Sequence, residues 1–102
     1  MIFAEMEYQK HYSDFHGELI AFIGKHFSQV QSGLQGDSWI WILDGEERVA
    51  IDTFTSMKHQ IKSPKAGLHV QRVIETLLSR FEVKVYEEPA LEGHEDVPGH
   101  ER

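Results

Sequence analysis

Residues 38–54 have the sequence SWIWILDGEERVAIDTF, in which two apolar segments flank Asp44 and Gly45. An Asp-Gly pair between two such segments is a strong signal for a β-hairpin with a short turn. We therefore predict two antiparallel strands on either side of this turn. They form the centre from which the rest of the fold can be built.

The two strands of this hairpin differ in their side-chain pattern. In the first strand, Trp39 and Trp41 alternate with Ile40 and Ile42, so both faces are apolar and the period does not decide which face is covered. In the second strand, alternation separates two sets of side chains. One face carries Val49, Ile51 and Thr53, and the other carries Arg48, Ala50, Asp52 and Phe54.

Two amphipathic helices are predicted outside the hairpin. Apolar residues recur at helical spacing from Phe15 to Phe27, and Ser13 is a suitable N-cap. A second helix is expected from about Lys65 to Arg80, after Pro64. Further strands are expected at residues 2–9 and 83–86, and residues 29–37, which contain two glycines, are expected to form a loop. Residues 55–63 fit either a strand or a loop.

The order of predicted elements is β-α-β-β-α-β. This order predicts an α+β two-layer sandwich with a ferredoxin-like arrangement, in which two helices cover one face of a four-stranded antiparallel sheet. An error of two residues in the assignment of residues 55–63 could add a strand to this sheet. No internal repeat is found.

Length and composition favour one folded unit. The chain has 102 residues, and we predict a domain at residues 1–88 followed by a disordered acidic tail at 89–102. The formal net charge is −7, of which five charges lie in residues 87–102, so general nucleic-acid binding by the whole molecule is disfavoured. No cysteine, signal peptide or long apolar run is found, and a soluble cytoplasmic protein is expected.

An aromatic surface is the first candidate site. If the helices cover Ile40 and Ile42, then Trp39 and Trp41 lie on the open face of the sheet, where Phe54 or Tyr86 can join them. Such a surface suits a protein partner or a homodimer, because tryptophan is enriched at interfaces. The alternative is that both indoles fill the core beneath the helices.

A basic cluster near the start of the second helix is the second candidate site. Its members could hold a phosphorylated metabolite or RNA, because a helix N-terminus also favours anions. The alternative is a solvated loop whose lysines protect an edge strand. The cluster consists of Lys58, His59, Lys62, Lys65, His69 and Arg72.

Catalytic and metal sites form the third group of candidates. Asp52 could form an acid/base pair with His59 or His69. Ser56, His59 and Asp52 can also be combined into a triad, but triads are recognised by geometry. A carboxylate in mid-strand more often faces solvent at a sheet edge or is ion-paired with a residue such as Arg48. Four possible metal ligands lie in the predicted tail, where nothing would orient them. They are His94, Glu95, Asp96 and His100. We predict no functional metal site and no cofactor.

No nucleotide-binding loop, nucleophile elbow or RNA-recognition motif occurs in the chain. The sequence thus favours a non-enzymatic binding or regulatory module that contacts a protein partner or itself through Trp39, Trp41 and Phe54. The alternative is an anion-binding protein that uses the basic cluster. A small acid/base enzyme is the third hypothesis.

Overall fold

The computed structural model describes residues 1–91, which form six strands and two helices. In chain order they are β1 (Ile2–Glu7), α1 (Tyr12–His26), β2 (Val30–Gln35), β3 (Asp37–Asp44), β4 (Glu47–Asp52), β5 (Gln60–Lys62), α2 (Leu68–Leu78) and β6 (Glu82–Ala90). The strands make one sheet in the order β2-β3-β4-β5-β1-β6, and every neighbouring pair is antiparallel.

The predicted ferredoxin-like arrangement is therefore wrong, although the fold is α+β. The sheet has six strands rather than four, because β2 and β5 were not recognised. Gly36, with φ of 80°, makes the turn between β2 and β3. Gly33 lies inside β2, where a Cβ atom would come within 2.5 Å of Nε1 of Trp39. The indole of the neighbouring strand thus occupies the space that a side chain would take, which explains a glycine in a strand.

Residues 55–63, which fit either a strand or a loop by sequence, contain the short strand β5. It is only three residues long, and it lies between β4 and β1, where all three of its residues are buried. Ile61 is opposite Ile51 on one side and Ala4 on the other. A strand this short has too few residues for a two-residue period to be detected.

The predicted hairpin is confirmed. Asp44 is opposite Glu47, so Gly45 and Glu46 form the turn, and Gly45 has the positive φ of 66° that such a turn requires.

Both predicted helices exist, but their ends differ from the prediction. His11, not Ser13, caps α1, because its ring accepts a hydrogen bond from the backbone N–H of Ser13. α2 begins at Leu68 rather than near Lys65, and Gly67 is its N-cap. At the other end of the domain, β6 continues to Ala90, two residues past the predicted domain boundary.

Both helices pack on the same side of the sheet and share one core with it. The sheet contributes Ala4, Met6, Ile40, Ile42, Val49, Ile51 and Ile61. The helices contribute Phe15, Leu19, Phe22, Ile23, Val70, Val73, Ile74 and Leu77. None of the helices in residues 1–91 is long and apolar enough to cross a membrane. No helix of residues 1–91 lies over the opposite side of the sheet, and we call that side the helix-free face.

Candidate functional site

The helix-free face carries the aromatic residues of β3 beside polar residues of β4 and β5. Trp39 is opposite Asp52, and Trp41 is opposite Ala50, so all four side chains lie on the same face of the sheet. Ala50 is in turn opposite Lys62. Since Ile40 and Ile42 are fully buried beneath the helices, the half-buried indoles face away from the core.

A pocket of about 360 Å³ opens on this face, and we call it the helix-free pocket. Its walls combine aromatic rings with charged groups. The residues that matter for its chemistry are Trp41, Arg48, Asp52, Phe54, Lys62 and Pro64. Phe54 stands at the rim with 51% of its surface exposed.

A buried ion pair forms one wall of the helix-free pocket. Lys62 Nζ lies 2.6 Å from Oδ1 of Asp52, and the side chains are only 6% and 5% exposed. The same carboxylate oxygen accepts a hydrogen bond from the backbone N–H of Phe54 at 3.2 Å. Lys62 also donates to Thr55 Oγ1 at 3.4 Å. Each member of the pair thus has a further hydrogen bond that fixes its position, and the two opposite charges cancel.

Arg48 carries a further positive charge in the lining of the helix-free pocket. Its guanidinium carbon lies 4.4 Å from the centroid of the Trp41 ring, a distance typical of a cation–π contact. No carboxylate within residues 1–91 forms a salt bridge with it. The guanidinium is therefore positioned by an aromatic ring, and its hydrogen-bond donors are not used by the residues that the structure describes.

A second polar group lies on the helix-covered side of the sheet, and we call it the Tyr8–His16 chain. Tyr8 Oη is 2.7 Å from Nδ1 of His59, and His59 Nε2 is 2.7 Å from Oγ of Ser38. Ser38 Oγ is in turn 2.6 Å from Nδ1 of His16. The hydroxyl of Tyr8 also accepts the backbone N–H of His59 at 3.2 Å.

One orientation of hydrogens satisfies this whole chain: the Tyr8 hydroxyl donates to His59, His59 Nε2–H donates to Ser38, and the Ser38 hydroxyl donates to His16. It requires a neutral His59. Burial, with a contribution from His16, lowers the pKa of His59 to about 4. Burial also raises the pKa of Tyr8 to about 12 and lowers the pKa of His16. Ser38 and His59 are fully buried, so the chain suits a structural role better than contact with a substrate.

The structure brings the predicted aromatic residues to one face. The rings of Trp39 and Trp41 are 5.0 Å apart at their centroids, with an angle of 50° between their planes. Phe54 and Trp41 both line the helix-free pocket. Their role in binding stays a prediction.

The six residues of the predicted basic cluster are not brought together. Two of them are in the interior, since His59 belongs to the Tyr8–His16 chain and His69 is within 3.0 Å of Ser63 Oγ. Lys62 faces the helix-free pocket and is paired with Asp52. The other three have separate contacts: Lys58 with the Tyr8 ring, Lys65 with Glu47, and Arg72 with Asp44.

The residues considered for catalysis or metal binding are also separated. Asp52 lies on the helix-free face, whereas the ring of His59 lies on the helix-covered side. Ser56 Oγ accepts the backbone N–H of Lys58. Within residues 1–91 no three acidic or histidine side chains are placed to hold a metal ion. The cluster His94, Glu95, Asp96 and His100 lies outside the described residues.

Sequence reasoning missed three features of these sites. The contact of Arg48 with Trp41 could have been found, because alternation puts both side chains on the same face of two neighbouring hairpin strands. The partner of Asp52 was expected to be Arg48 but is Lys62, which could be identified only once β5 was known. Ser38 and His59 are 21 residues apart, and no local pattern joins them.

No family model, curated protein or solved structure matches this chain. Its function must therefore be inferred from the chemistry of its own surfaces.

Proposed function

We propose that the protein is a binding module that holds an acidic segment of a protein partner at the helix-free pocket. The observation that carries this proposal is the position of Arg48. Its guanidinium is stacked on Trp41 at the pocket, and no carboxylate of residues 1–91 neutralises it. A charged group that is held in place without a partner is prepared to bind an anion.

The walls of the pocket also suit a protein ligand. Trp and Arg are the residue types most enriched among those that dominate binding energy at interfaces. Trp41 and Phe54 offer apolar area, and Phe54 is half exposed at the rim. An acidic side chain can pair with Arg48 while a neighbouring apolar side chain of the same segment packs between the rings.

The charge of the pocket favours an acidic partner over a basic one. Asp52, the carboxylate in the lining, is already neutralised by Lys62 at 2.6 Å. Separating this buried pair would leave a charge without a partner and cost several kcal/mol. A basic segment would therefore have to compete with Lys62, whereas an acidic segment meets Arg48 directly.

The proposal is tested with random peptides displayed on phage and selected on the full chain. We expect the selected peptides to carry Asp or Glu next to an apolar residue. A synthetic consensus peptide is then titrated by calorimetry. Arg48→Ala and Trp41→Ala should each lower its affinity about tenfold or more, as expected for central interface residues.

Leu68→Ala is the matched control, because Leu68 is 71% exposed at the start of α2 and does not line the helix-free pocket. This variant should bind the peptide like the original chain. Peptides without acidic residues, or equal affinity for the Trp41→Ala and Leu68→Ala variants, would refute the proposal.

A small anion is the second candidate ligand, because Arg48 lines the pocket without a salt bridge to residues 1–91. Lys62, a member of the basic cluster, lines the same pocket but is paired with Asp52. Phosphate is the probe, and tryptophan fluorescence is the readout, since Trp41 lies under Arg48. A saturable change that is lost in Arg48→Ala would support it. A change equal in Arg48→Ala and the original chain would exclude this ligand.

A further inference from the structure

The two edge strands of the sheet, β2 and β6, differ in charge. β6 contains Glu82, Lys84, Glu87, Glu88 and Pro89, the kinds of residue that keep an edge strand from pairing with another chain. β2 has the sequence VQSGLQ, and residues 27–36 contain no charged side chain at all. The β2 edge therefore lacks the usual protection.

The backbone of β2 also has groups available for pairing. In the antiparallel ladder with β3, Leu43 N–H donates to the carbonyl of Gln29 at 2.9 Å. Hydrogen-bonded residues alternate along such a ladder, so Gln31 and Gly33 also face β3. The N–H and C=O groups of Val30, Ser32 and Leu34 consequently point away from the sheet.

We propose that two copies of the chain pair through antiparallel β2 strands and form one continuous sheet. The register is symmetric about Ser32, so that Ser32 lies opposite Ser32 of the second copy and Val30 lies opposite its Leu34. All outward-facing residues of β2 are then paired, which gives about six backbone hydrogen bonds. This contact is separate from the helix-free pocket and does not depend on its ligand.

The side chains of β2 match in this register. Val30 and Leu34 make an apolar contact on the helix-covered side, where 42% of the Leu34 surface is otherwise exposed. Ser32 meets an identical hydroxyl, and no like charges are opposed. Shifting one strand by two residues relative to the other, to the next hydrogen-bonded register, leaves one outward-facing residue of each β2 unpaired. Pairing through β6 would instead bring the glutamates of both copies together.

The absence of cysteine from the chain allows a sharp test, because a single introduced cysteine can form a disulfide only between copies. In the proposed register the two Ser32 Cα atoms are about 5.5 Å apart, within the range that a disulfide spans. Ser32→Cys should therefore give a covalent dimer under mild oxidation. Sedimentation of the original chain should show a concentration-dependent dimer.

Leu34→Cys is the matched control on the same strand. The two copies of residue 34 are offset by four residues along the paired strands, about 14 Å. This variant should therefore cross-link little and should run as a monomer under the same oxidising conditions. Equal cross-linking of both variants would overturn the proposed register. A monomer at all concentrations, with no cross-linked Ser32→Cys, would overturn the pairing itself.

Discussion

The two faces of the sheet bury polar groups in different ways. On the helix-covered side, the Tyr8–His16 chain joins neutral groups through consecutive hydrogen bonds. On the helix-free face, full charges are used, with Lys62 and Asp52 paired and Arg48 stacked on Trp41. A neutral chain can be satisfied internally, whereas a stacked cation keeps hydrogen-bonding capacity for a ligand. We expect the first face to contribute to stability, whereas the binding proposed for the second face would add recognition to its contribution to stability.

Breaking the ion pair is expected to have the largest effect on folding. Lys62→Met leaves Asp52 buried without its cation, so the free energy of unfolding should fall by about 3–5 kcal/mol. Urea unfolding at pH 7 measures it. The double variant Asp52→Leu with Lys62→Met removes both charges and should recover most of the loss. A loss below about 1 kcal/mol in the single variant would mean that water screens the pair like a surface one.

The second largest effect is expected from acid, which should lower the free energy of unfolding through the helix-covered side. The folded pKa of His59 is about 4, below its ordinary value, so the unfolded chain binds the proton first as the pH falls. The contribution of His59 is complete above about pH 6.5 and lost as the pH falls to about 4, a change of about 3 kcal/mol. His16, whose pKa is also lowered, acts in the same direction.

The measurement is urea unfolding at several pH values between 7 and 4, with His59→Gln as the control. Paired carboxylates lose stability in acid as well, so the informative quantity is the difference between the two profiles. We expect a flatter profile for His59→Gln. Profiles with the same slope would contradict the assigned role of His59.

Removing one hydroxyl from each face gives a smaller and matched comparison. Tyr8→Phe deprives His59 Nδ1 of its partner in the interior, and it should cost about 1–2 kcal/mol. Tyr86→Phe removes a hydroxyl that donates to Glu5 on the helix-free face at 3.2 Å, where water can replace it. Its cost should be within about 0.5 kcal/mol. Equal losses in thermal or urea unfolding would show that the faces do not differ in this respect.

The smallest effect on stability is expected for Arg48→Ala. The guanidinium is exposed, and its cation–π contact with Trp41 is worth less than about 1 kcal/mol. Its effect on peptide affinity should be much larger, as proposed above. Measuring unfolding and binding on the same preparation separates the two. A stability loss of about 2 kcal/mol or more would assign Arg48 to the fold instead.

The elements with a long, regular pattern could be predicted from the sequence. Both helices and the central hairpin follow from the spacing of apolar residues and from Asp44–Gly45. β2 could not be predicted, because Gly33 is typical of a loop unless one knows that the Trp39 indole covers it. β5 was too short for its period to be visible. Both errors concern strands whose stability comes from their neighbours.

The same holds for the site residues: those on one strand could be predicted, and those brought together by strand pairing could not. Alternation along β4 correctly placed Arg48, Asp52 and Phe54 on one face, and they line the helix-free pocket together. Lys62 joins them only because β5 pairs with β4, a contact over ten residues that no local pattern reveals. The proximity of His59 and Ser38 depends on the same strand order.

The location of both helices on one side of the sheet has a consequence for the dimer. In the proposed dimer, the two-fold axis lies between the two Ser32 residues and is perpendicular to the sheet. It keeps equivalent faces on the same side, so the two pockets would open in one direction. If both the proposed pairing and the proposed ligand are correct, a partner with two acidic segments on a linker of suitable length would occupy both pockets at once. Such bivalent attachment raises avidity by about 10²–10⁴ without any new contact, and weak individual sites become sufficient for tight capture.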